Sequence, residues 1–333
     1  GHRTALAVRP ARFRLSLPAG ALGVYGIMRA VRILMVFVDG VGLGESDPAI
    51  NPFVRAETPT LRRLLGGPLS GQVAVHTPLA SMVPLDARLG VPGLPQSATG
   101  QAALLTGTNA PALVGRHVTA YPTRPLRALL EGQGLFIRLR RGGIDPALAN
   151  AYAPEYFAAV AARRLRHAAI TLNALQAGMR LRDVTDLVAG RAVYQDLTNA
   201  RLRDRGHAVP LIAPEDAGRH LAALARGRVF TLFEFFETDL AGHGRVADPI
   251  GVVERLDRFL GGLLAATDLA ETLVVLTSDH GNLEDERTGG HTLNPVPGLL
   301  VGAGRGTMAA RLRDLTDVVP ATLDVLGNGA WHP

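Results

Sequence analysis

The stretch RILMVFVDG, residues 32–40, decides the fold class. After Arg32 it holds six apolar residues with no polar alternation, and it then breaks at Asp39 and a glycine. A strand that is apolar on both faces is typical of a parallel sheet covered by helices on both sides. Asp39 therefore stands at the carboxyl end of a predicted strand, where doubly wound proteins bind their ligands.

Three later segments repeat this apolar pattern. They are RVFTLFEFFETD (228–239), TLVVLTSDHGN (272–282) and PGLLVG (297–302). Residues 248–267 carry an apolar helical face formed by Val252, Val253, Leu256, Phe259, Leu260, Leu263 and Leu264. A last helix is predicted in TDVVPATLDVLG (316–327), with Gly327 as its C-terminal cap. Strands that alternate with helices predict an α/β fold with a doubly wound, mostly parallel sheet.

Residues 112–226 have a different pattern. Helical patterns occupy 124–141, 154–178 and 214–225, and weak strand candidates lie near 148–153 and 192–198. We therefore predict a catalytic α/β domain of residues 31–111 and 227–333, interrupted by a smaller α+β cap domain of residues 112–226. Residues 1–30 contain five arginines and no acid, and Met28 resembles a natural start. They are predicted to be an N-terminal extension, either disordered or not native.

Composition narrows the classes of function. The chain has 333 residues and is 47% hydrophobic, enough for a substantial core. It has no cysteine, which excludes disulfides, zinc–thiolate sites and cysteine nucleophiles. No apolar run reaches the ~18–20 residues of a membrane span, so no membrane partner and a cytoplasmic location are expected. All 35 basic residues are arginines interspersed with acids, so the net charge of +6 indicates a solvated surface and no nucleic-acid partner.

Six potential metal ligands fall at or just after the predicted strand ends. They are the carboxylates of Asp39, Asp239 and Asp279 and the imidazoles of His243, His280 and His291. A buried unpaired carboxylate is costly, so three at one edge of a sheet require a cation among them. A single histidine is more commonly structural, and the prediction depends on the shared placement of all six. The set suffices for two divalent ions with open positions for a substrate.

Two ions about 3.5–4 Å apart suit in-line displacement at phosphorus, which requires a nucleophile. Ser97, in QSATGQAALLTG (96–107), stands at the start of a helical run. Serine at this position commonly caps the helix. The same position also places its hydroxyl where backbone N–H groups favour a phosphoryl group. Thr99 is the competing nucleophile.

Five segments resemble the alkaline phosphatase superfamily, in particular the metalloenzyme branch that holds cofactor-independent phosphoglycerate mutase and phosphopentomutase. They are FVDGVGLG (37–44), QSATGQAALLTG (96–107), TDLAGHG (238–244), TSDHGNLED (277–285) and GGHTLNPVPG (289–298). The resemblance covers roughly residues 31–110 and 227–327. It implies an alkaline phosphatase-like fold with an inserted cap domain and phosphoryl transfer through a phosphorylated serine.

The resemblance also implies a ligand set and a substrate class. One ion would be held by Asp239, His243 and His291, and the other by Asp39, Asp279, His280 and the oxygen of Ser97, the residue that becomes phosphorylated. The ions would be Mn²⁺, as in the mutases, or Zn²⁺, as in the phosphatases. The partner would be a small phosphorylated substrate, and the oligomeric state stays open.

Two positions depart from the mutase pattern. Gln101 stands where the mutases usually have histidine, and Ala98 where they have an acid, so this helix start is more like that of a phosphatase. The leading hypothesis is a phosphatase or phosphomutase that works through Ser97. The alternatives are a phosphodiesterase on the same scaffold and a metal-binding protein that has lost catalysis. A sulfatase is disfavoured because Ser97 lacks the Pro-Arg context in which such residues mature.

Candidate substrate contacts are weaker. Arg116 and His117 follow the Ser97 helix and could bind the substrate phosphate, although a surface pair is the alternative; Arg245 has the same standing. Asn282 and Asn294 are candidates to orient the metal ligands. A cap that closes over the sheet edge should carry arginines on its inner face.

Overall fold

The computed structural model describes residues 31–327, so the predicted extension of residues 1–30 lies outside the described part. The strands are β1 (Arg32–Val38), β2 (Val75–His76), β3 (Ala80–Leu85), β4 (Ala147–Leu148), β5 (Ala151–Tyr152), β6 (Arg182–Asp183), β7 (Phe230–Phe235), β8 (Thr272–Thr277) and β9 (Val296–Gly302).

The α-helices are α1 (Pro52–Arg55), α2 (Pro59–Leu65), α3 (Ser97–Thr106), α4 (Ala110–Val114), α5 (Arg124–Gln133), α6 (Leu135–Arg141), α7 (Pro154–Ala161), α8 (Ala169–Gln176), α9 (Val184–Val188), α10 (Ala200–Asp204), α11 (Pro214–Ala225), α12 (Glu237–Gly242), α13 (Pro249–Ala266), α14 (Arg305–Ala309) and α15 (Val318–Val325). A short 3₁₀ helix spans Leu315–Asp317.

A seven-stranded sheet organises the molecule, with the order β2-β3-β9-β8-β1-β7-β4. β1 pairs in parallel with β8 on one side and β7 on the other, and β7 pairs in parallel with β4. This confirms the predicted α/β class and mostly parallel sheet. Because β8, β1 and β7 are parallel neighbours, their carboxyl ends meet at one edge.

Two of the seven strands, β9 and β2, run opposite to the others, and β2 pairs antiparallel with β3. β9 pairs antiparallel with β8, and β3 pairs antiparallel with β9. The described connection from β8 to β9 contains only turns and a bridge, and a chain that returns without a crossover helix must pair antiparallel. The sequence pattern also missed β3, whose apolar run is interrupted by Pro84.

The core lies on both faces of the sheet. In β1, Ile33, Met35 and Phe37 pack into one hydrophobic cluster, and Leu34, Val36 and Val38 pack into the other. This explains why the strand lacks polar alternation. The predicted helix of 248–267 is confirmed as α13, and all seven residues of its apolar face are buried. The last helix is confirmed as α15, and Gly327 follows it with φ +74°.

Parts of segment 112–226 pack on this sheet. Helices α5, α6 and α8 contribute to the first cluster, and α11 packs against α13 in the second. A third, smaller cluster contains Ala151, Ala153, Leu187, Ala192, Tyr194, Leu202 and Val209. The strand candidate near 148–153 is confirmed as parts of β4 and β5, whereas near 192–198 only a bridge at Val193 forms. The domain boundaries stay a prediction. Among the described helices, none has both the length and the apolar character that a bilayer span requires.

Candidate metal centre

The ends of the three parallel strands bring the predicted ligands together. Asp39 directly follows β1, Asp279 and His280 follow β8 after one residue, and Asp239 lies in the short helix α12 after β7. Gly40 turns the chain after β1 with φ +70°, and a side chain there would meet Asp239 at 2.8 Å. The glycine therefore lets two ligand-bearing segments approach each other.

One group of possible ligands is buried in the protein. The ligand atoms of Asp39, Asp279 and His280 all lie within 4.8 Å of one another. The Nε2 atom of His280 is 3.3 Å from Asp39 Oδ1 and 3.7 Å from Asp279 Oδ2. This spacing matches donors arranged around one cation.

A second group shares His280 with the first. Asp239, His280 and His291 also have ligand atoms within 4.8 Å of one another. Asp239 Oδ1 lies 3.7 Å from His291 Nε2 and 3.5 Å from His243 Nε2. All six acid and imidazole side chains predicted from the sequence therefore form one continuous cluster. By distance alone, His280 could serve either group.

Hydrogen bonds fix the orientation of two imidazoles. His291 Nδ1 is 2.7 Å from the carbonyl oxygen of Pro95, and His280 Nδ1 is 3.3 Å from that of Gly281. A carbonyl oxygen can only accept, so Nδ1 carries the proton in both rings and Nε2 presents a lone pair to the cluster. Histidine ligands of metals are commonly oriented in this way.

The electrostatics of the cluster favour a cation. Both oxygens of Asp279 and one oxygen of Asp39 are buried without a hydrogen-bond partner among residues 31–327. Burial, and then repulsion from the neighbouring carboxylates, raises the pKa of Asp39 and of Asp279. Burial lowers the pKa of His280 well below its usual value, and His291 adds to this shift. Carboxylates left without partners beside neutral imidazoles fit the donor set of a divalent metal ion.

Ser97 lies at the edge of this cluster. It is the first residue of α3, and Gln96 takes the capping position, so the hydroxyl of Ser97 is not used as a cap. Its Oγ is 3.0 Å from His280 Nε2, and the residue is only half-buried. Thr99 is fully buried, and its hydroxyl donates to the carbonyl of Gln96 and accepts from the N–H of Val118.

Comparison with known proteins agrees with this geometry. Residues 218–328 match the Metalloenzyme superfamily, a range that holds five of the six predicted acid and imidazole ligands. Over 127 residues, 35% of this chain, it is 35% identical to a 2,3-bisphosphoglycerate-independent phosphoglycerate mutase of Paracoccus denitrificans. The match spans 24% of that protein, so this chain covers about a quarter of the length of the curated relatives it matches.

Two solved structures share the fold. The PH0037 protein of Pyrococcus horikoshii matches with a TM-score of 0.54 at 17% identity, covering 91% of this chain and 99% of that one. The alkaline phosphatase of Thermus thermophilus matches with a TM-score of 0.54 at 14% identity, covering 92% and 93%. Residues 218–328 are therefore similar to the Metalloenzyme superfamily, and the chain shares its fold with these two solved structures.

Glu284 is a site residue that the sequence reasoning missed. Its Oε2 accepts hydrogen bonds of 2.8 Å from the backbone N–H groups of both Gly42 and Asn282, and its Oε1 accepts from Thr292 and, at 3.1 Å, from Asn294. One buried carboxylate thus ties the loops after β1 and β8 to the loop that follows His291. The residue stands in the quoted motif at 277–285, but only the structure reveals that it is buried.

Two amides also contact the predicted ligands. Asn282 donates to Asp239 Oδ1 at 2.7 Å, in agreement with the orienting role expected for it. Asn294 reaches Glu284 instead of a ligand. Gln101 Nε2 lies 3.5 Å from Asp39 Oδ2, which places the departure from the mutase pattern inside the site.

The predicted substrate contacts Arg116, His117 and Arg245 do not line the cavity beside Ser97. His117 Nε2 is 3.2 Å from the carbonyl oxygen of Val91, and neither Arg116 nor His117 is among the described residues that line the cavity beside Ser97. Arg245 is exposed and does not line it either. The cavity contains two arginines from segment 112–226, Arg166 and Arg205. Substrate binding by Arg116 and His117 stays a prediction.

Proposed function

We propose that this chain is a metal-dependent phosphoryl-transfer enzyme that acts on phosphate monoesters through Ser97. One observation carries the proposal: a half-buried serine hydroxyl lies 3.0 Å from a cluster of three carboxylates and three imidazoles. The open side of that hydroxyl faces a cavity of about 580 Å³, also lined by Asp39 and Asp239. A substrate phosphate could therefore reach the serine and the metal ligands together.

We further propose that two divalent ions occupy the cluster, Mn²⁺ or Zn²⁺. Asp239, His243 and His291 would hold one, and Asp39, Asp279, His280 and Ser97 Oγ the other. When bound, such ions supply positive charge that favours the alkoxide form of a serine and stabilises phosphoryl oxygens. The unpartnered oxygens of Asp39 and Asp279 support this assignment.

The position of Ser97 suits a nucleophile. As first residue of α3 it lies at the positive end of the helix dipole, where a phosphoryl group is favoured. Gly100 brings α3 against the loop after β8: a side chain at Gly100 would lie 2.6 Å from the carbonyl oxygen of Asp279. In the proposed reaction the Ser97 oxygen bonds to phosphorus as the ester oxygen leaves. Water or a second hydroxyl then takes the phosphoryl group.

The test is turnover of a simple aryl phosphate by the metal-loaded protein. Ser97→Ala should reduce turnover to the level without enzyme and abolish trapping of phosphate on the acid-quenched protein. Ser46→Ala is the matched control, because Ser46 is exposed and its hydroxyl pairs with Ser70 at the surface. Equal turnover by wild type and Ser97→Ala would end the assignment of Ser97.

Metal removal tests the other half of the proposal. Metal analysis should find two ions per chain, and a chelator should abolish turnover until Mn²⁺ or Zn²⁺ is restored. A panel that contains a diester, and an assay for transfer to a second hydroxyl, would separate phosphodiesterase, phosphatase and phosphomutase. Fewer than two bound ions together with no turnover would favour a metal-binding protein without catalysis.

A further inference from the structure

The cavity beside Ser97 continues into a wall of aromatic side chains. Tyr152, Tyr156, Tyr194, Tyr121 and Phe236 line it together with the proposed nucleophile. A volume of about 580 Å³ lies within the range of pockets for drug-sized ligands. A three-carbon phosphate would fill only a small part of it.

Two of the lining tyrosines, Tyr152 and Tyr156, have hydroxyls that are already paired with neighbouring side chains. Tyr152 and Tyr156 have ring centroids 4.8 Å apart, tilted by 47°. The hydroxyl of Tyr152 pairs with Thr171 at 2.7 Å, and that of Tyr156 with His167 Nδ1 at 2.7 Å. These bonds fix the rings. What remains for a ligand is ring surface, which attracts other flat rings.

The helix that carries Tyr156 is incompletely covered. None of the residues of α7 is buried, and Phe157 beside Tyr156 is 39% exposed. Its ring lies 5.7 Å from that of Tyr156. Apolar ring surface is therefore exposed on Phe157, next to the lining residue Tyr156.

Glu234 adds one polar group to this apolar wall. It lies in β7 between two buried phenylalanines, is 7% exposed and lines the cavity. Within residues 31–327 its carboxylate has no hydrogen-bond partner, although Asn150 binds both its N–H and its carbonyl oxygen. A buried acid without a partner that faces a cavity suits a ligand that supplies a hydrogen-bond donor.

The charges of the cavity disfavour an acidic organic group. Its only cationic side chains among the described lining residues are Arg166 and Arg205, and both are exposed. Arg166 lies over the Tyr121 ring at 5.3 Å. A substrate carboxylate beside Glu234, away from the two exposed arginines, would have no cationic partner among the described lining residues, and a buried carboxylate without a partner is costly.

We propose that this cavity selects phosphate monoesters whose organic group is a flat aromatic ring system of nucleoside size with a hydrogen-bond donor. The ring packs on Tyr152 and Tyr156, the donor reaches Glu234, and the phosphate lies at Ser97. The placement of the phosphate at Ser97 rests on the proposed function. The binding of the aromatic ring depends only on the aromatic wall and Glu234.

Substrate selectivity is the first test. The metal-loaded wild type should turn over guanosine and adenosine monophosphates with a kcat/KM about 10-fold or more above that for glycerol 3-phosphate or phosphoglycerate, since stacking of one base on aromatic side chains commonly gives this much. No preference for the ring-bearing monoesters would overturn the inference.

Matched variants test the wall. Tyr156→Leu should reduce the preference for ring-bearing monoesters about 10-fold, whereas Tyr156→Phe, which keeps the ring, should retain it. Glu234→Gln should weaken turnover of guanosine monophosphate about 10-fold more than turnover of phenyl phosphate, which has no donor on its ring. Glu131→Gln, an exposed position in α5, is the control. Equal losses on both substrates would show that Glu234 only supports the fold.

Binding without phosphate separates this inference from the proposed function. Calorimetry with metal-loaded wild type should detect guanosine but not glycerol. Guanosine binding without any monoester turnover would leave the ring inference standing and end the proposed function. Monoester turnover with neither guanosine binding nor a preference for ring-bearing substrates would leave the proposed function standing and overturn the inference about the ring.

Discussion

The proposed metal-binding rim and the aromatic wall meet at Ser97, yet they differ in how deeply they are buried. The rim is the cluster of Asp39, Asp239, His243, Asp279, His280 and His291. The rim gathers side chains from the ends of three parallel strands, and its central residues, Asp279 and His280, are 0% exposed. The aromatic residues of the wall come from four separate segments, and helix α7, which carries Tyr156, has no buried residue. Buried, rigidly held side chains are suited to catalysis, which requires reacting groups in fixed positions. Partly exposed aromatic rings are suited to binding the organic group of a substrate. We therefore propose that the rim performs the chemistry and that the wall sets the specificity.

The substitution Asp279→Asn is the strongest test of whether the rim binds metal and performs the chemistry. The variant should lose one of two bound ions and reduce kcat/KM by more than about 100-fold, beyond the usual effect of losing an outer partner of a ligand. Its metal-free form should be more stable than metal-free wild type by about 1–3 kcal/mol, because wild type must either bury the Asp279 charge without a partner or hold the carboxyl in its protonated form. Metal analysis, kinetics and denaturant titration measure the three effects.

Asp285→Asn is the control for Asp279→Asn. Asp285 lies in the same loop but pairs with Arg287 at the surface. Its substitution should leave metal content and turnover unchanged. If Asp279→Asn retained two ions, the rim would not be a metal site of the proposed kind.

Glu284→Gln tests whether metal binding at the rim depends on the hydrogen bonds that the buried Glu284 carboxylate accepts. Each oxygen of Glu284 accepts from two donors, so an amide nitrogen in either position places donor against donor. Metal affinity should fall about 10–100-fold. Glu286→Gln is the matched control, because Glu286 only pairs with Arg55 at the surface. Unchanged metal affinity in Glu284→Gln would mean that the loops are positioned by packing alone.

The sequence predicted the rim better than the wall, for a physical reason. Asp39, Asp239 and Asp279 each follow an apolar strand, so the rule for parallel sheets is enough to bring them together at one edge. The role of Glu284 was not predicted, because it depends on hydrogen bonds from four donors, three of which belong to other loops. The sequence did not predict the lining residues Tyr152, Tyr156 and Glu234, because residues that line a pocket follow no periodic sequence pattern. The prediction for Arg116 and His117 rested only on their nearness in sequence to the Ser97 helix. The antiparallel β9 shows that an apolar run identifies a strand but not its direction.

Glu234 allows a pH test of the wall. Burial raises the pKa of Glu234 from 4.5 to about 7. Because the folded state holds the proton more tightly, this stabilisation is complete below pH 4.5, falls as the pH rises, and is lost above about 7. Glu234→Gln should therefore stabilise the metal-free protein relative to wild type by up to about 3 kcal/mol more at pH 8 than at pH 4.5. Denaturant titrations at the two pH values measure this difference, and a constant difference would mean that Glu234 is better solvated than its burial indicates.

Two glycine substitutions compare how tightly the two regions are packed. Gly100, in α3 of the rim, has no room for a side chain because the carbonyl oxygen of Asp279 would lie 2.6 Å away, whereas Gly132, in α5 of segment 112–226, has open space around it. Alanine within a helix normally stabilises by about 0.5–1 kcal/mol, and Gly132→Ala should show this gain. Gly100→Ala should destabilise by about 1–3 kcal/mol, as overpacking does, and should also lower kcat by moving Ser97. Thermal unfolding and aryl phosphate turnover of both variants check this, and a gain in stability for Gly100→Ala with unchanged kcat would show that the rim tolerates movement that its close packing argues against.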